Sequence, residues 1–440
     1  MTNEDQEHLL GDIAVKYGLL TAEQLRLALA LQRRETPRRS LGAVLLENQM
    51  LAEPVLERLL DAQRRLRGLS ESAPGVKAQA VVERLSQRAS LAEYLGVLRE
   101  LGATELQLVP GSPPFVRAHG GLIDLVPRRL ELEEVRALLA EAMTTSEAEA
   151  LERDHSVLFA TDLQGGRYRV AAFQHERGLT AILRAIPSEP PDLDSLGLPA
   201  GVEAITHLHH GLVLITGPRG SGRSTTLAAL IQRMNRGRRR HVVTIEQPIT
   251  YRFESEHCQI SQREVGKDVP TYQAALRSVL REDPDVIVVG ELGDPERIAT
   301  ALTAAETGQL VLGTLHSSTA TRALLRVLDA YSGRHRALVQ GMLASQLRMI
   351  VSQRLLPDVD HRRQHLAAEV LINNAAVAAM IREDRLHQIP QVIETSREEG
   401  MQLMDEALSA LVVSGRVARE EALAWAEDPD RIQRFSEVKS

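Results

Sequence analysis

Apolar residues along this chain follow two different patterns. Between about residues 199 and 340, short and nearly continuous apolar runs at 212–215, 242–245, 286–289 and 310–315 alternate with longer amphipathic stretches. Such runs, bounded by turn residues, read as strands buried on both faces. Their alternation with helical stretches predicts a mostly parallel sheet covered by helices. Residues 89–190 look different. The segment 91–101 places apolar residues at helical spacing, and Thr104-Glu105-Leu106-Gln107-Leu108-Val109 alternates like a half-buried strand. Residues 110–114 carry turn chemistry, and 167–173 and 179–186 read as further strands. This predicts a small α+β domain, joined to the α/β domain at 191–340 through the proline-bearing stretch 187–198. Residues 341–440 read as a C-terminal helical domain.

The first residues repeat. Leu10-Gly11-Asp12-Ile13-Ala14-Val15 is echoed by Leu41-Gly42-Ala43-Val44-Leu45-Leu46, and each copy runs into a helix, ending at Gln32 and Gln63. Thr21 and Gln24 have the spacing of a capping box. The pattern predicts a helical repeat domain at 1–66. A linker with Gly68, Ser70, Ser72, Pro74 and Gly75 follows at 67–88.

Composition narrows the classes. A chain of 440 residues holds two or three domains, and a net charge of −7 argues against a nucleic-acid partner held by bulk charge. The one cysteine, Cys258, excludes a disulfide framework and a four-cysteine zinc clip, and fits a reducing compartment. The acidic start has no apolar stretch of the signal-peptide kind, and no run is long enough to span a bilayer, so the expected location is cytoplasmic.

Candidate chemistry concentrates where the apolar runs end. The run at 212–215 leads through Thr216 into Gly217-Pro218-Arg219-Gly220-Ser221-Gly222-Arg223-Ser224-Thr225, which has the layout of a Walker A phosphate loop opening a helix. Backbone N–H groups of such a loop converge on phosphate oxygens, and the helix that follows adds its positive end. Arg223 stands where the motif has lysine, and Ser224 where a hydroxyl holds Mg²⁺. Two other runs end in acids. Glu291 closes the run at 286–289, at the end of a strand where α/β sheets bind ligands, and can accept a bond from a Mg²⁺-bound or attacking water. Glu246 closes the run at 242–245 and reads either as a base or water-positioner for phosphoryl transfer or as a local cap. His316 ends the run at 310–315 and reads either as a γ-phosphate sensor or as a buried core histidine. His207, His209 and His210 lack carboxylate or cysteine company and read as surface or interface residues. Arg236, Arg238, Arg239 and Arg240 read as a solvated loop.

With these elements in order, the chain resembles the type II/IV secretion ATPase superfamily, and within it most closely the type IV pilus retraction (twitching motility) ATPases. Thr244-Ile245-Glu246-Gln247-Pro248-Ile249 resembles that family's Asp box, Val289-Gly290-Glu291 its Walker B, and 304–316 its His box. Glu369-Val370-Leu371-Ile372-Asn373-Asn374, His387-Gln388-Ile389-Pro390 and Gly400-Met401-Gln402 resemble its C-terminal signatures. Thr104 to Leu108 is similar to a strand of its PAS-like N-terminal domain. The absence of a zinc clip favours retraction over assembly.

The resemblance implies a RecA-like P-loop ATPase domain preceded by a PAS-like α+β domain and the small helical domain. It implies ATP and Mg²⁺, and a homo-hexameric ring or a mixed ring with a homologous ATPase. ATP would lie between the RecA-like domain of one subunit and the PAS-like domain of another, with Arg167, Arg169 and Arg184 reaching the phosphates. It also implies attachment at the inner membrane through a platform protein of a pilus or secretion system. Four positions depart from the pattern: Arg223, Gln247, Thr250 and Gly293. Arginine is a wide planar fork where lysine is a point charge, so charge is kept and geometry is not. These departures leave open a hydrolysis-poor regulatory subunit. The N-terminal repeat is similar to the helical domains of assembly ATPases, some of which bind cyclic di-GMP. Neither copy has the motif's arginine, so docking of a protein is expected there and cyclic di-GMP is not.

Overall fold

The computed structural model describes residues 89–118, 121–360 and 363–432, with Ala28, Val44, Leu45, Asn48 and Leu85. The expected helical repeat at 1–66 and the linker after it lie outside the described residues, those few apart.

The first part of the described chain is α1 (Leu91–Glu100), β1 (Glu105–Leu108), β2 (Phe115–Ala118), β3 (Gly121–Asp124), α2 (Leu132–Ala140), α3 (Thr145–Asp154), β4 (Ser156–Leu163), β5 (Gly166–His175) and β6 (Gly178–Ile186). Ser90 and Glu93 close a capping box at the start of α1, which fixes where that helix begins. The strands form one antiparallel sheet in the order β3-β2-β1-β6-β5-β4. The expected strands at 104–109, 167–173 and 179–186 are β1, β5 and β6. The four-residue β2 and β3 are too short to show a period, and β4 has no clean apolar–polar alternation to announce it.

The second part comprises β7 (Gly211–Thr216), α4 (Arg223–Gly237), β8 (His241–Glu246), β9 (Gln259–Glu264), α5 (Tyr272–Val279), β10 (Val286–Val289), α6 (Pro295–Glu306), β11 (Leu310–Leu315), α7 (Ala320–Asp329), α8 (Gly333–Gln346), β12 (Leu347–Pro357) and β13 (Gln364–Ile372). Its sheet has the order β13-β12-β7-β11-β10-β8-β9, parallel throughout except for the antiparallel edge strand β13. Both faces are covered. Leu212, Leu214, Ile287 and Val289 pack with α5 to α8 on one side. Val213, Ile215, Val286 and Val288 pack with α4 and the 3₁₀ helix Ala200–His207 on the other. Alternate residues thus enter opposite cores, which is why these strands read as unbroken apolar runs.

The C-terminal part corrects an expectation. The domain at 341–440 was expected to be helical, but β12 and β13 extend the large sheet through residue 372, with β12 beside β7. A buried apolar stretch such as Leu347 to Leu356 cannot be told from a helix by periodicity alone; its pairing with β7 decides. Helices follow only afterwards: α9 (Ala375–Arg382), α10 (Ile389–Thr395), α11 (Met404–Val413) and α12 (Arg419–Leu423). The stretch at 187–198 is likewise docked, since Leu193 is buried against α4 and Asp194 meets Arg233 at 2.6 Å. Arg240, expected in a solvated loop, is buried instead.

Candidate functional site

The loop 217–222 leaves the carboxyl end of β7 and delivers the chain into α4. Gly217 is required there: with φ at 152°, a Cβ would stand 2.3 Å from Ser221 Oγ and 2.5 Å from the carbonyl of Gln353. Gly222, with φ at 88°, turns the chain into the helix in a left-handed conformation that a side chain would strain. Pro218, Arg219 and Gly220 are exposed on the outer curve, and Ser224 and Thr225 lie in the first turn of α4. Ser224 is exposed, and the Thr225 hydroxyl lies 3.5 Å from that of Tyr251. Behind the loop, Gln353 donates to Thr226 at 2.7 Å and Thr216 to Ser352 at 2.8 Å, which ties the loop to β12.

Two strand ends converge on this loop. Arg223 Nη2 donates to His316 Nε2 at 3.2 Å, and the same ring nitrogen lies 3.6 Å from Glu291 Oε1. Burial and the neighbouring charge of Arg223 lower the His316 pKa, against the opposing pull of Glu291. Burial also lowers the Arg223 pKa. Its Nη1 and the hydroxyl of Ser221 are buried without a hydrogen-bond partner. Two donors of this kind beside a glycine loop match the oxygens of a phosphate chain. An exposed hydroxyl at Ser224 and the half-exposed carboxylate of Glu291 suit Mg²⁺, which prefers a few oxygen ligands and keeps its waters.

Glu246 closes β8 beside them. Its carboxylate accepts bonds from Thr244 Oγ1 at 2.9 Å, the Thr250 N–H at 3.3 Å and Gln262 Nε2 at 3.3 Å. Burial raises its pKa despite these bonds. Its enclosure fits both the base and the local-cap reading, since its oxygens hold the turn at 246–250.

The three arginines expected over the phosphates differ in placement. Arg169 has partial burial, Arg184 and Arg219 lowering its pKa and Tyr272 and Glu291 opposing, so it shares the field of the loop. Arg184 is its cross-strand partner, but its guanidinium is bonded to Glu105 at 2.8 Å. Burial pushes the Glu105 carboxyl up, and bonds from Arg184, Arg117 and Gln107 outweigh it and hold the group at about 2. Arg167 pairs with Asp162 at 3.0 Å and donates to the carbonyl of Ile249 at 2.9 Å. This last bond joins β5 to the strand-end loop after β8. Within one chain, Arg169 is thus coupled electrostatically to Arg219 of the loop and to Glu291.

Sequence reasoning missed four contributors. Glu105 holds Arg184. Arg297 donates to the Glu291 carbonyl at 3.2 Å and stacks over the Tyr272 ring at 3.9 Å, so a guanidinium stands near Gly293 after all. Burial pushes the Tyr272 hydroxyl up to about 12. Arg326 donates to the His316 carbonyl at 2.9 Å. Only Glu105 had a signal, its place in the strand at 104–109.

Residues 135–427 match the family described as Type II/IV secretion system protein. The chain is 40% identical over 343 residues to the type IV pilus retraction ATPase PilT of Pseudomonas aeruginosa, covering 77% of this chain and 99% of that one. The crystal structure of the pilus retraction motor PilT with bound ADP superposes with a TM-score of 0.71 at 38% identity, over 78% of this chain and 99% of that one. The ATPase DotB of Legionella pneumophila superposes with a TM-score of 0.65 at 27% identity, over 77% of this chain and 96% of that one. The chain belongs to the type II/IV secretion system protein family, whose ATPases include the pilus retraction motors.

Proposed function

We propose that this chain is an ATP-hydrolysing motor subunit that drives pilus retraction or a related secretion process. The observation that carries the reading is the convergence of Arg223, His316 and Glu291 on a glycine loop, with a buried guanidinium nitrogen and the Ser221 hydroxyl unpartnered. The solved PilT structure carries bound ADP, which supports a nucleotide as the ligand here. In this reading residues 217–222 cradle the phosphates, with Pro218 and Arg219 on the outer curve. Arg223 neutralises phosphate charge, and Thr225 steadies the first turn of the helix. Ser224 and Glu291, the latter through water, hold Mg²⁺, which would neutralise charge on the phosphate oxygens. Glu246 takes the proton of the attacking water, His316 reads the γ-phosphate, and Arg169 faces the charge that develops in transfer, where positioning and electrostatics dominate.

The chain works as a hexamer, alone or mixed with a homologous ATPase, docked on an inner-membrane platform protein; among the described residues no helix is long and apolar enough to cross a membrane. Purified protein with Mg-ATP is expected to hydrolyse it, and Glu246→Gln and Glu291→Gln each to abolish turnover while a non-hydrolysable analogue still binds. Unchanged rates in both variants sink the assignment. Mass measurement with that analogue is expected to give a hexamer, and a strict monomer at micromolar concentration counts against the ring.

A second reading, a nucleotide-binding regulatory subunit with little hydrolysis, is favoured by one observation: Arg223 is held by His316 where a lysine would reach freely. Arg223→Lys with Gln247→Asp raises turnover sharply if the site has lost activity, and leaves it unchanged or lower if Arg223 belongs to a working site.

A further inference from the structure

A carboxylate outside the nucleotide site ties together the starts of two helices. Glu369 lies on β13 and is buried. Its Oε1 accepts the backbone N–H of Ala320 at 2.6 Å, and its Oε2 accepts that of Met404 at 3.4 Å. Ala320 is the first residue of α7 and Met404 the first of α11. One side chain thus satisfies an otherwise orphaned donor of each helix, at the positive end of both dipoles.

Each helix start leads somewhere different. The start of α7 lies four residues after His316. Arg326 of α7 donates to the His316 carbonyl at 2.9 Å, and Ser317 donates to the Thr319 carbonyl at 3.1 Å. The start of α11 leads into the C-terminal segment. Asp405, next to Met404, accepts the N–H groups of Glu427 and Asp428, both at 2.9 Å. A salt bridge of 3.3 Å between Arg322 of α7 and Glu427 closes the circuit at the surface.

We propose that Glu369 is a positioning residue that couples the loop carrying His316 to the C-terminal helices by accepting the first N–H of both α7 and α11. The proposal rests on the nucleotide reading of the site given above. Its physical basis is the cost of an unsatisfied buried acceptor. If either helix start moves alone, one carboxylate oxygen loses its donor in a place water does not reach, so the two starts move together. A shift of His316 on meeting a γ-phosphate passes through Arg326 and the 317–319 turn to Ala320, through Glu369 to Met404, and so to α11 and α12.

Hydrogen exchange on the full chain, read by mass spectrometry with and without a non-hydrolysable ATP analogue, tests this. Without nucleotide, Glu369→Met removes both acceptor oxygens and leaves the two N–H groups without their partner. Exchange at 320–324 and at 404–408 is expected to rise together by about tenfold or more. Glu369→Asp keeps the charge but is too short to reach both helices, and serves if Glu369→Met does not fold. An unchanged rate at either helix start overturns the bridge. With the analogue, protection at 217–226 reports occupancy. In the wild type 404–413 is expected to respond as well, and in the variant to lose that response while 217–226 keeps its own. An equal response in variant and wild type, or a silent 404–413 in an occupied wild type, overturns the coupling. A wild type left unprotected at 217–226 overturns the nucleotide reading and the transmission with it, while the nucleotide-free arm still decides the bridge.

Discussion

Arg223 donates to His316 Nε2 across 3.2 Å, and this bond fixes the ring as the tautomer with its proton on Nδ1. The guanidinium thereby stands between the loop and the end of β11, with Nη2 bonded to the ring and Nη1 buried and free of partners. Replacing Arg223 with methionine removes a charged donor from the phosphates. The expected loss in affinity for an ATP analogue is about tenfold to a hundredfold, the range for hydrogen bonds to charged groups. Arg223→Lys keeps the charge and most of the affinity. Titration with a fluorescent nucleotide decides, and wild-type affinity in the methionine variant removes Arg223 from the phosphate site.

Arg169 and Arg184 face each other across β5 and β6, but only Arg184 is bonded to Glu105. Alanine at Arg169 is expected to lower kcat by about a thousandfold, as for arginines that meet phosphoryl-transfer charge. Alanine at Arg184 is expected to change it by less than tenfold. Equal losses would show that Glu105 releases Arg184 during turnover.

Burial raises the Glu246 pKa. A base of this kind is active only when ionised, so hydrolysis falls as pH drops through its pKa. The acid limb of the rate profile is therefore expected above the ordinary carboxylate range. The limb disappears with the activity in Glu246→Gln. A profile flat down to pH 4.5 would leave Glu246 as a structural cap.

Glu369 titrates at about 7 in the folded chain, because burial outweighs the bonds from Ala320 and Met404, and its charged neighbours Asp405 of α11 and Glu427 are both acids. The folded state then binds more protons than the unfolded state between the ordinary carboxylate value and about 7. Stability falls as pH rises through that window and levels off above it. Glu369→Gln removes this dependence. Its stability relative to wild type is expected to improve by about 1–3 kcal/mol from pH 5 to pH 8, following the free energy attached to a shifted pKa. Denaturant melts at the two pH values measure it, and a constant difference between the proteins contradicts the shift.

Much of the fold was legible in the sequence, for a physical reason. Strands β7, β8, β10 and β11 are buried on both faces, so each is a nearly unbroken apolar run, and the loop after β7 needs glycines that stand out in any reading. Gly217 through Thr225, Glu246, Glu291 and His316 were legible because local chain geometry puts them at strand ends. The tertiary structure decided everything that depends on which strand lies beside which. It turned the apolar stretch at 347–357 into β12 by pairing it with β7. It bonded Arg223 to His316 and sequestered Arg184 on Glu105 and Arg167 on Asp162. It also brought the first N–H of α7 and of α11, far apart in the chain, onto the single carboxylate of Glu369. Periodicity records which face of an element is dry. It carries no record of which distant polar group meets another there, because that depends on how the sheets and helices are stacked.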